Sequence, residues 1–247
     1  MREAWGVALR DLKKRYYVWK DVAAVLITAV VIVAFGAGVE LFLISDEEAG
    51  YTLFFASGMI GMLVVFGVMS TGHELVVDRK GFNKILLAAP IRNEAILLGK
   101  TIFAFINSIK TFFVASILLM IYFNTFSVVN ALLLIPVLVL ISLSFTGMAY
   151  FTASFFRNRD HADNFIQYIS MPLLFLSGAF YSLKEAPEFV HFLYYANPAT
   201  YAVEGTRNLI SGEGELSLVL VLVVLAFLGI AFSLAGISVY NRMIRKG

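Results

Sequence analysis

Long apolar stretches recur along the chain from residue 22 to residue 240 and are separated by short polar segments. A helix needs roughly 20 consecutive apolar residues to cross a bilayer. Six stretches fit that length: 22–44, 53–77, 101–123, 130–156, 164–183 and 216–240. The pattern predicts an all-α integral membrane protein with six transmembrane helices, in a single domain that covers residues 1–247.

The fifth stretch, 164–183, is the least regular of the six. It carries Pro172 and several polar side chains among its apolar residues. Interruptions of this kind are tolerated where protein, not lipid, surrounds the backbone.

Composition supports a membrane protein. Of the 247 residues, 60% are hydrophobic and 15% are charged, whereas a soluble domain usually carries about 25% charged residues. Such a chain has too few polar groups to cover a soluble surface, which argues against a soluble enzyme, a disordered scaffold and a secreted disulfide protein. The sequence has no cysteine, and its net charge of +2 is too small to indicate a nucleic-acid partner.

The positions of the basic residues predict the orientation. Lys and Arg concentrate on the cytoplasmic side of membrane proteins. Of the 19 Lys and Arg residues, 16 lie in alternate connecting segments or at the termini: 1–21, 78–100, 157–163 and 241–247. Both termini are therefore predicted to be cytoplasmic.

Residues 3–20, before the first span, show helical periodicity. Their apolar side chains fall on one stripe, and basic residues lie mostly off it; the stripe comprises Trp5, Ala8, Leu9, Leu12, Tyr16 and Trp19. This pattern is typical of a helix that lies in the membrane interface. The alternative is a basic cytosolic tail that only sets topology.

The cytoplasmic connection 78–100 contains a second short amphipathic helix. Phe82, Ile85, Leu86 and Ala89 recur at helical spacing, and Pro90 ends the pattern. A helix this short needs a surface to dock on. The membrane, the protein's own helix ends and another subunit are all open as that surface.

The outer segment 184–215 is too long for a structureless connection. It predicts two short helices, 185–195 and 198–210, with Asn197 as the cap of the second and Pro198 as its first residue. Because the first helix is rich in aromatic residues, we expect a helical hairpin that dips back into the outer leaflet.

Catalytic and metal-binding signatures are absent from the sequence. It has no G-x-x-x-x-G-K-[ST] loop, no H-E-x-x-H motif and no G-x-S-x-G elbow. The three histidines lie in different segments and give no ligand spacing. We therefore predict no catalytic residue and no metal site, and any uphill transport would need an energy source elsewhere.

Ionisable residues inside spans are functional candidates. Lys110 lies within the third span and is predicted to pair with Glu74, or to join a polar cluster with Asn107; an unpaired lysine that reaches the interface is the alternative. Glu40 is expected to reach the outer headgroups. In the second span, Ser57 and Gly61 form a small-x-x-x-small pattern that lets helices approach closely.

These segments, in this order, resemble the permease subunits of type-2 ABC (ATP-binding-cassette) exporters over nearly the whole chain. The interfacial helix resembles the elbow helix of that family. A second group, similar to its cytoplasmic coupling segment, comprises Glu74, Asp78-Arg79-Lys80-Gly81-Phe82, Ala89-Pro90-Ile91-Arg92, Glu94 and Gly99-Lys100. A third group, similar to its fifth span and outer hairpin, comprises Pro172, Leu176-Ser177-Gly178-Ala179-Phe180, Pro187, Asn197-Pro198, Tyr201, Glu204 and Arg207. The chain departs from the family at Tyr181-Ser182-Leu183, where a proline is common.

The resemblance implies an export mechanism in the cell (plasma or inner) membrane. Two copies of a separate ATPase subunit would bind ATP and Mg²⁺, so this chain would hold no cofactor itself. A second permease, identical or homologous, would complete the transporter. The residues expected to couple the permease to the ATPase are Arg79, Gly81, Phe82, Ile85, Leu86 and Pro90.

Spans two and five are expected to line the translocation path. The side chains that they offer are Ser57, Met59, Met62, Phe66, Gln167, Met171, Phe175 and Ser177. This mixture suits an amphipathic, drug- or lipid-like cargo, although Met and Phe are also ordinary constituents of spans. Two other functions stay open: a secondary transporter or channel in which Lys110 and Glu74 handle ions, and a membrane assembly factor.

Overall fold

The computed structural model of the chain describes residues 2–14, 18–43, 50–70, 93–123, 128–156, 159–183 and 187–244. Regular structure in these ranges is helical. The helices are α1 (Arg2–Lys14), α2 (Val18–Leu43), α3 (Tyr51–Met69), α4 (Asn93–Phe123), α5 (Val128–Ser154), α6 (Arg159–Phe175), α7 (Glu188–Ala196), α8 (Pro198–Ile210) and α9 (Leu218–Ile244). The predicted all-α membrane class is confirmed.

Five of the helices in the described part of the chain are long and apolar enough to cross a membrane: α2, α3, α4, α5 and α9. The helix of the fifth predicted span, α6, has 17 residues and ends at Phe175, not at 183. The chain turns after Phe175 because Gly178 adopts a left-handed conformation with φ 73°, which glycine takes at low cost.

The bundle has a buried centre and a periphery that is exposed to lipid. In the most apolar 18-residue stretch of each helix, 67% of the residues are buried in α3, against 17% in α2 and 17% in α9. Large apolar side chains such as Ile27 and Phe35 on α2 and Phe227 on α9 are exposed. Because lipid covers apolar side chains as well as protein does, we assign α2 and α9 to the lipid boundary.

The helices have two sets of ends, the hairpin end and the α1 end. The hairpin end carries α7 and α8, the start of α3 and the turn 176–183, where the Tyr51 hydroxyl donates to the Phe180 carbonyl (3.2 Å). The α1 end carries α1, the start of α4 and the end of α3.

Helix α1 packs on the start of α4 through a face of small residues. Ala4, Val7 and Ala8 are buried, and Gly99 of α4 leaves no room for a side chain against Ala4 and Val7. The helix agrees with the sequence prediction, and Trp5 and Leu9 of the predicted stripe are exposed, so they remain available to the membrane; the interfacial position stays a prediction. The protein-facing side includes Asp11, whose Oδ2 lies 2.9 Å from Lys100 Nζ in a fully buried ion pair.

The two helices predicted between 184 and 215 are present, as α7 and α8. Asn197 caps α8 as predicted: its Oδ1 accepts from Ala199 N–H at 2.9 Å, and Pro198 is the first helical residue. The Asn197 amide also donates to the Leu173 carbonyl of α6 (2.8 Å), so the cap fastens the pair of helices to α6.

Candidate functional site

A cavity of about 390 Å³ lies between α3 and α6. Two residues from the end of α3, Ser70 directly after it, and five from α6 line it: Phe66, Met69, Ser70, Ile166, Gln167, Ser170, Met171 and Leu174. On α3 the lining lies at the α1 end of the helix, whereas on α6 it covers the second half of the helix, from Ile166 to Leu174. Its size and apolar lining are typical of small-molecule sites.

The polar groups of the cavity are few. The Ser70 hydroxyl donates to the Gly67 carbonyl (2.8 Å), and the Ser170 hydroxyl donates to the Ile166 carbonyl (2.6 Å). The Gln167 side chain is exposed and makes no hydrogen bond within the described ranges. The cavity therefore presents hydroxyl oxygens and one amide on an otherwise apolar wall.

The structure brings together three of the path residues predicted from the sequence and separates the others. Phe66, Gln167 and Met171 line the cavity. Met62 and Ser177 are fully buried, while Met59 and Phe175 lie further toward the hairpin end. Sequence reasoning missed Ser70 and Ser170, although each lies one helical turn from a predicted residue, and that spacing could have found them.

Aromatic side chains of α3, α6 and the turn 176–183 contact one another in a row. Phe175 stacks on Phe180 with ring centroids 5.3 Å apart, and Phe180 contacts Phe55 at 5.5 Å. Phe55 in turn stacks with Tyr51 at 5.9 Å. We call Tyr51, Phe55, Phe175 and Phe180 the aromatic cluster.

Beside the aromatic cluster lies a fully buried pair of charges on α8. Arg207 Nη1 donates to Glu204 Oε1 at 2.5 Å, and both side chains are at most 1% exposed. Arg207 Nη2 donates to the Gly178 carbonyl (2.8 Å), and the guanidinium carbon lies 3.8 Å from the centroid of the Phe54 ring. Arg207 thus ties α8 to the turn after α6 and to α3.

Glu204 and Glu215 extend this network to the segment before α9. Glu204 Oε2 accepts from the N–H groups of Glu215 (2.5 Å) and Leu216 (3.1 Å). Glu215 accepts from the Ser182 hydroxyl and from Leu183 N–H (2.9 Å). Burial, and next the charge of Glu204, raise the pKa of the Tyr194 phenol, which therefore stays protonated. We call Glu204, Arg207 and Glu215 the charge cluster.

Small residues let α3 and α8 meet at close range. A Cβ atom at Gly61 would lie 3.0 Å from Val203 Cα, and one at Gly58 would lie 3.1 Å from Ala179 Cα. The Thr206 hydroxyl is 3.5 Å from the Ser57 carbonyl oxygen. The close approach predicted from Ser57 and Gly61 is confirmed, and the partner is α8.

The intramembrane charges have partners that the sequence did not indicate. Lys110 Nζ lies 3.5 Å from Asp21 Oδ2 of α2, and both side chains are partly exposed. Glu74 lies outside the described residues, so its pair with Lys110 stays a prediction. Glu40 accepts from Gly50 N–H (3.1 Å) and Thr52 N–H (2.7 Å) and so caps the start of α3, while its contact with the outer headgroups stays a prediction.

The predicted coupling residues in 78–90 also lie outside the described residues. The described chain resumes at Asn93 with α4, seven residues before Lys100. Any displacement of the segment before Asn93 would therefore act on the helix that the Asp11–Lys100 pair joins to α1.

Comparison with known proteins places these elements in context. A family model described as ABC-2 type transporter matches residues 5–211. The chain is 27% identical over 180 residues to the ycf38 protein of Pyropia yezoensis, which is named as a candidate transport permease; the match covers 72% of this chain and 61% of that protein. The ycf38 protein of Porphyra purpurea is 26% identical over 178 residues, covering 71% and 60%. The chain thus spans about three fifths of the length of these relatives.

Proposed function

This chain belongs to the ABC-2 type transporter family, and we propose that it is the membrane-spanning permease of an ATP-driven exporter. In this proposal α2, α3, α4, α5, α6 and α9 are the six spans, with α6 as the fifth. Both termini and the α1 end face the cytoplasm, and α7 and α8 form a re-entrant hairpin in the outer leaflet of the cell membrane.

The observation that carries the proposal is the cavity between α3 and α6. It reaches the α1 end of α3, and the aromatic cluster and the charge cluster lie at the hairpin end of the same helices. In the proposed orientation a substrate would enter this cavity from the cytoplasm or the inner leaflet and leave once the aromatic cluster opens.

The energy would come from a separate subunit, because a permease of this kind relies on a partner to hydrolyse ATP. Two copies of the ATPase would bind ATP and Mg²⁺, and a second permease, identical or homologous, would complete the path. The segment 78–90 would dock on the ATPase through Phe82, Ile85 and Leu86. Since α4 begins just after this segment and is joined to α1 through Asp11 and Lys100, ATP-driven closure would move α4 and α1 together.

Co-expression with a Walker A-containing ATPase subunit from the same organism tests the proposal. The complex should co-purify and hydrolyse ATP, and a Walker A mutation in the ATPase should abolish the activity. Replacing Phe82 with Asp should prevent complex formation while the permease still inserts, because a charge would occupy an apolar anchor position. If the chain binds no ATPase, an ion-driven transporter or an assembly factor becomes the better explanation.

A further inference from the structure

We propose that the cavity between α3 and α6 binds a lipophilic amine, an apolar molecule whose polar head donates hydrogen bonds and carries no negative charge. This inference rests on the proposed transport function, because it names the class of molecule that the same site would carry.

The hydrogen-bonding groups of the cavity are mainly acceptors. A serine hydroxyl has one proton and two lone pairs. The protons of Ser70 and Ser170 are used in bonds to the carbonyls of Gly67 and Ile166. Each hydroxyl therefore offers a ligand only lone pairs, and among the described lining residues only the Gln167 amide offers N–H groups.

The rest of the wall fits an apolar body and tolerates a positive head. Met69 and Met171 are flexible and polarisable, so they adapt to ligands of different shape. Phe66 presents an aromatic ring, and the face of such a ring attracts ammonium groups. The volume of about 390 Å³ is at the lower end of the range for small-molecule sites.

An anionic head lacks a counter-charge in this lining. The eight described residues that line the cavity include no Lys, Arg or His. Removing a carboxylate or phosphate from water without a paired cation is costly, and the serine lone pairs would repel it. The same eight residues include no Asp or Glu, but an ammonium group meets oxygen lone pairs that accept its N–H donors.

Two matched fluorescent probes test the inference. Dansylcadaverine and dansyl-6-aminohexanoate share the dansyl body and the alkyl linker and differ in ending with an amine or a carboxylate. Each would be titrated by fluorescence against the full-length chain in nanodiscs of phosphatidylcholine, whose zwitterionic surface favours neither charge. We expect the amine to bind about tenfold more tightly, which corresponds to the about 1.4 kcal/mol of one charge-assisted hydrogen bond.

Variants assign the binding to the cavity. Ser170→Ala removes an acceptor and should weaken amine binding about threefold or more. Ser238→Ala is the matched control, because the Ser238 hydroxyl donates to the Leu234 carbonyl (2.7 Å) in the same way but is exposed on α9; it should leave binding unchanged. Gln167→Arg adds a positive charge at an exposed position of the wall and should reverse the preference toward the carboxylate.

The inference is overturned if the unaltered chain binds neither probe, binds the carboxylate as tightly as the amine, or responds equally to Ser170→Ala and Ser238→Ala. These titrations need no ATPase. A failure of the chain to co-purify with an ATPase would count against the proposed function and leave the binding result as it stands, so the two failures can be told apart.

Discussion

The charges of Glu204 and Arg207 at the hairpin end are buried and paired, whereas the polar side chains of the cavity between α3 and α6 border open space. Arg207 alone reaches Glu204, the Gly178 carbonyl and the Phe54 ring. In the cavity, Gln167 has no hydrogen-bond partner in the described residues, and Ser170 borders the open space.

This contrast indicates how one helix pair can be held closed at the hairpin end and still bind a molecule in the cavity. A buried charge is tolerated only when several partners satisfy it, and those partners then fix the geometry around it. A cavity needs the opposite arrangement, with groups left available to a ligand. We infer that the charge cluster at the hairpin end is the rigid seal and the cavity the adaptable site.

The largest expected effect is that of Arg207→Met. The substitution leaves the Glu204 carboxylate buried without its cation, and we expect it to lower the free energy of unfolding by about 3–5 kcal/mol. Thermal unfolding in detergent measures this loss. The double variant Glu204→Gln, Arg207→Met should recover part of the lost stability, because it leaves no unpaired charge. Equal stability of the single and double variants would contradict the role of the Glu204–Arg207 pair in holding the hairpin end closed.

Gly61→Leu tests the close approach of α3 to α8. The new side chain would meet the Val203 backbone, and we expect destabilisation of about 2–3 kcal/mol. Gly38→Leu on α2 is the control, because nothing lies within 4 Å of a Cβ atom there. Similar melting temperatures for the two variants would show that α8 does not pack closely against α3 at Gly61.

Gly178→Ala should have a smaller effect, of about 1–2 kcal/mol. Gly178 and Gly212 have nearly equal positive φ, 73° and 76°, so alanine is strained to the same degree at both. Only at Gly178 would the added methyl group also meet the Tyr194 ring. The matched control is therefore Gly212→Ala, and the difference between the melting temperatures of the two variants measures the contact with the Tyr194 ring. Equal melting temperatures would mean that the ring moves aside at no cost.

The smallest effect is expected for the partly exposed pair of Lys110 and Asp21. Pairs with this exposure contribute about 1 kcal/mol or less. A double-mutant cycle with Lys110→Met and Asp21→Asn should give a coupling in that range, and a second cycle with Glu74→Gln measures the pair predicted from the sequence. A coupling above about 2 kcal/mol to either carboxylate would show that Lys110 belongs to a fixed charge site, as Lys100 does.

Local signals in the sequence predicted much of the fold. Apolar length predicted the membrane helices, and Asn197-Pro198 predicted the start of α8, because both depend on the chain near the residue itself. The end of α6 was not predictable in this way. Gly178 takes its left-handed conformation where the chain turns against Tyr194, a residue 16 positions further along the chain.

The polar partners were the least predictable part of the site. Asp11 lies outside the predicted apolar stripe of α1, and only the packing of that helix against Lys100 makes it buried. Glu40 could not be recognised as a cap, because the bond depends on how α2 and α3 are joined. Glu204 and Arg207 were noted only through the family resemblance, since helical spacing shows a pair but not its burial.

The most direct test of the proposed transport path asks from which side of the membrane the cavity can be reached. The sequence contains no cysteine, so Ser170→Cys gives a single reactive thiol at the cavity, and Ser57→Cys gives a fully buried control. We predict that a membrane-impermeant maleimide labels Ser170→Cys in inverted vesicles but not in intact cells, and that trapping ATP on the co-expressed ATPase suppresses this labelling. Two results would contradict the proposed path: labelling of Ser170→Cys in intact cells without trapped ATP, or labelling in inverted vesicles that trapped ATP does not change.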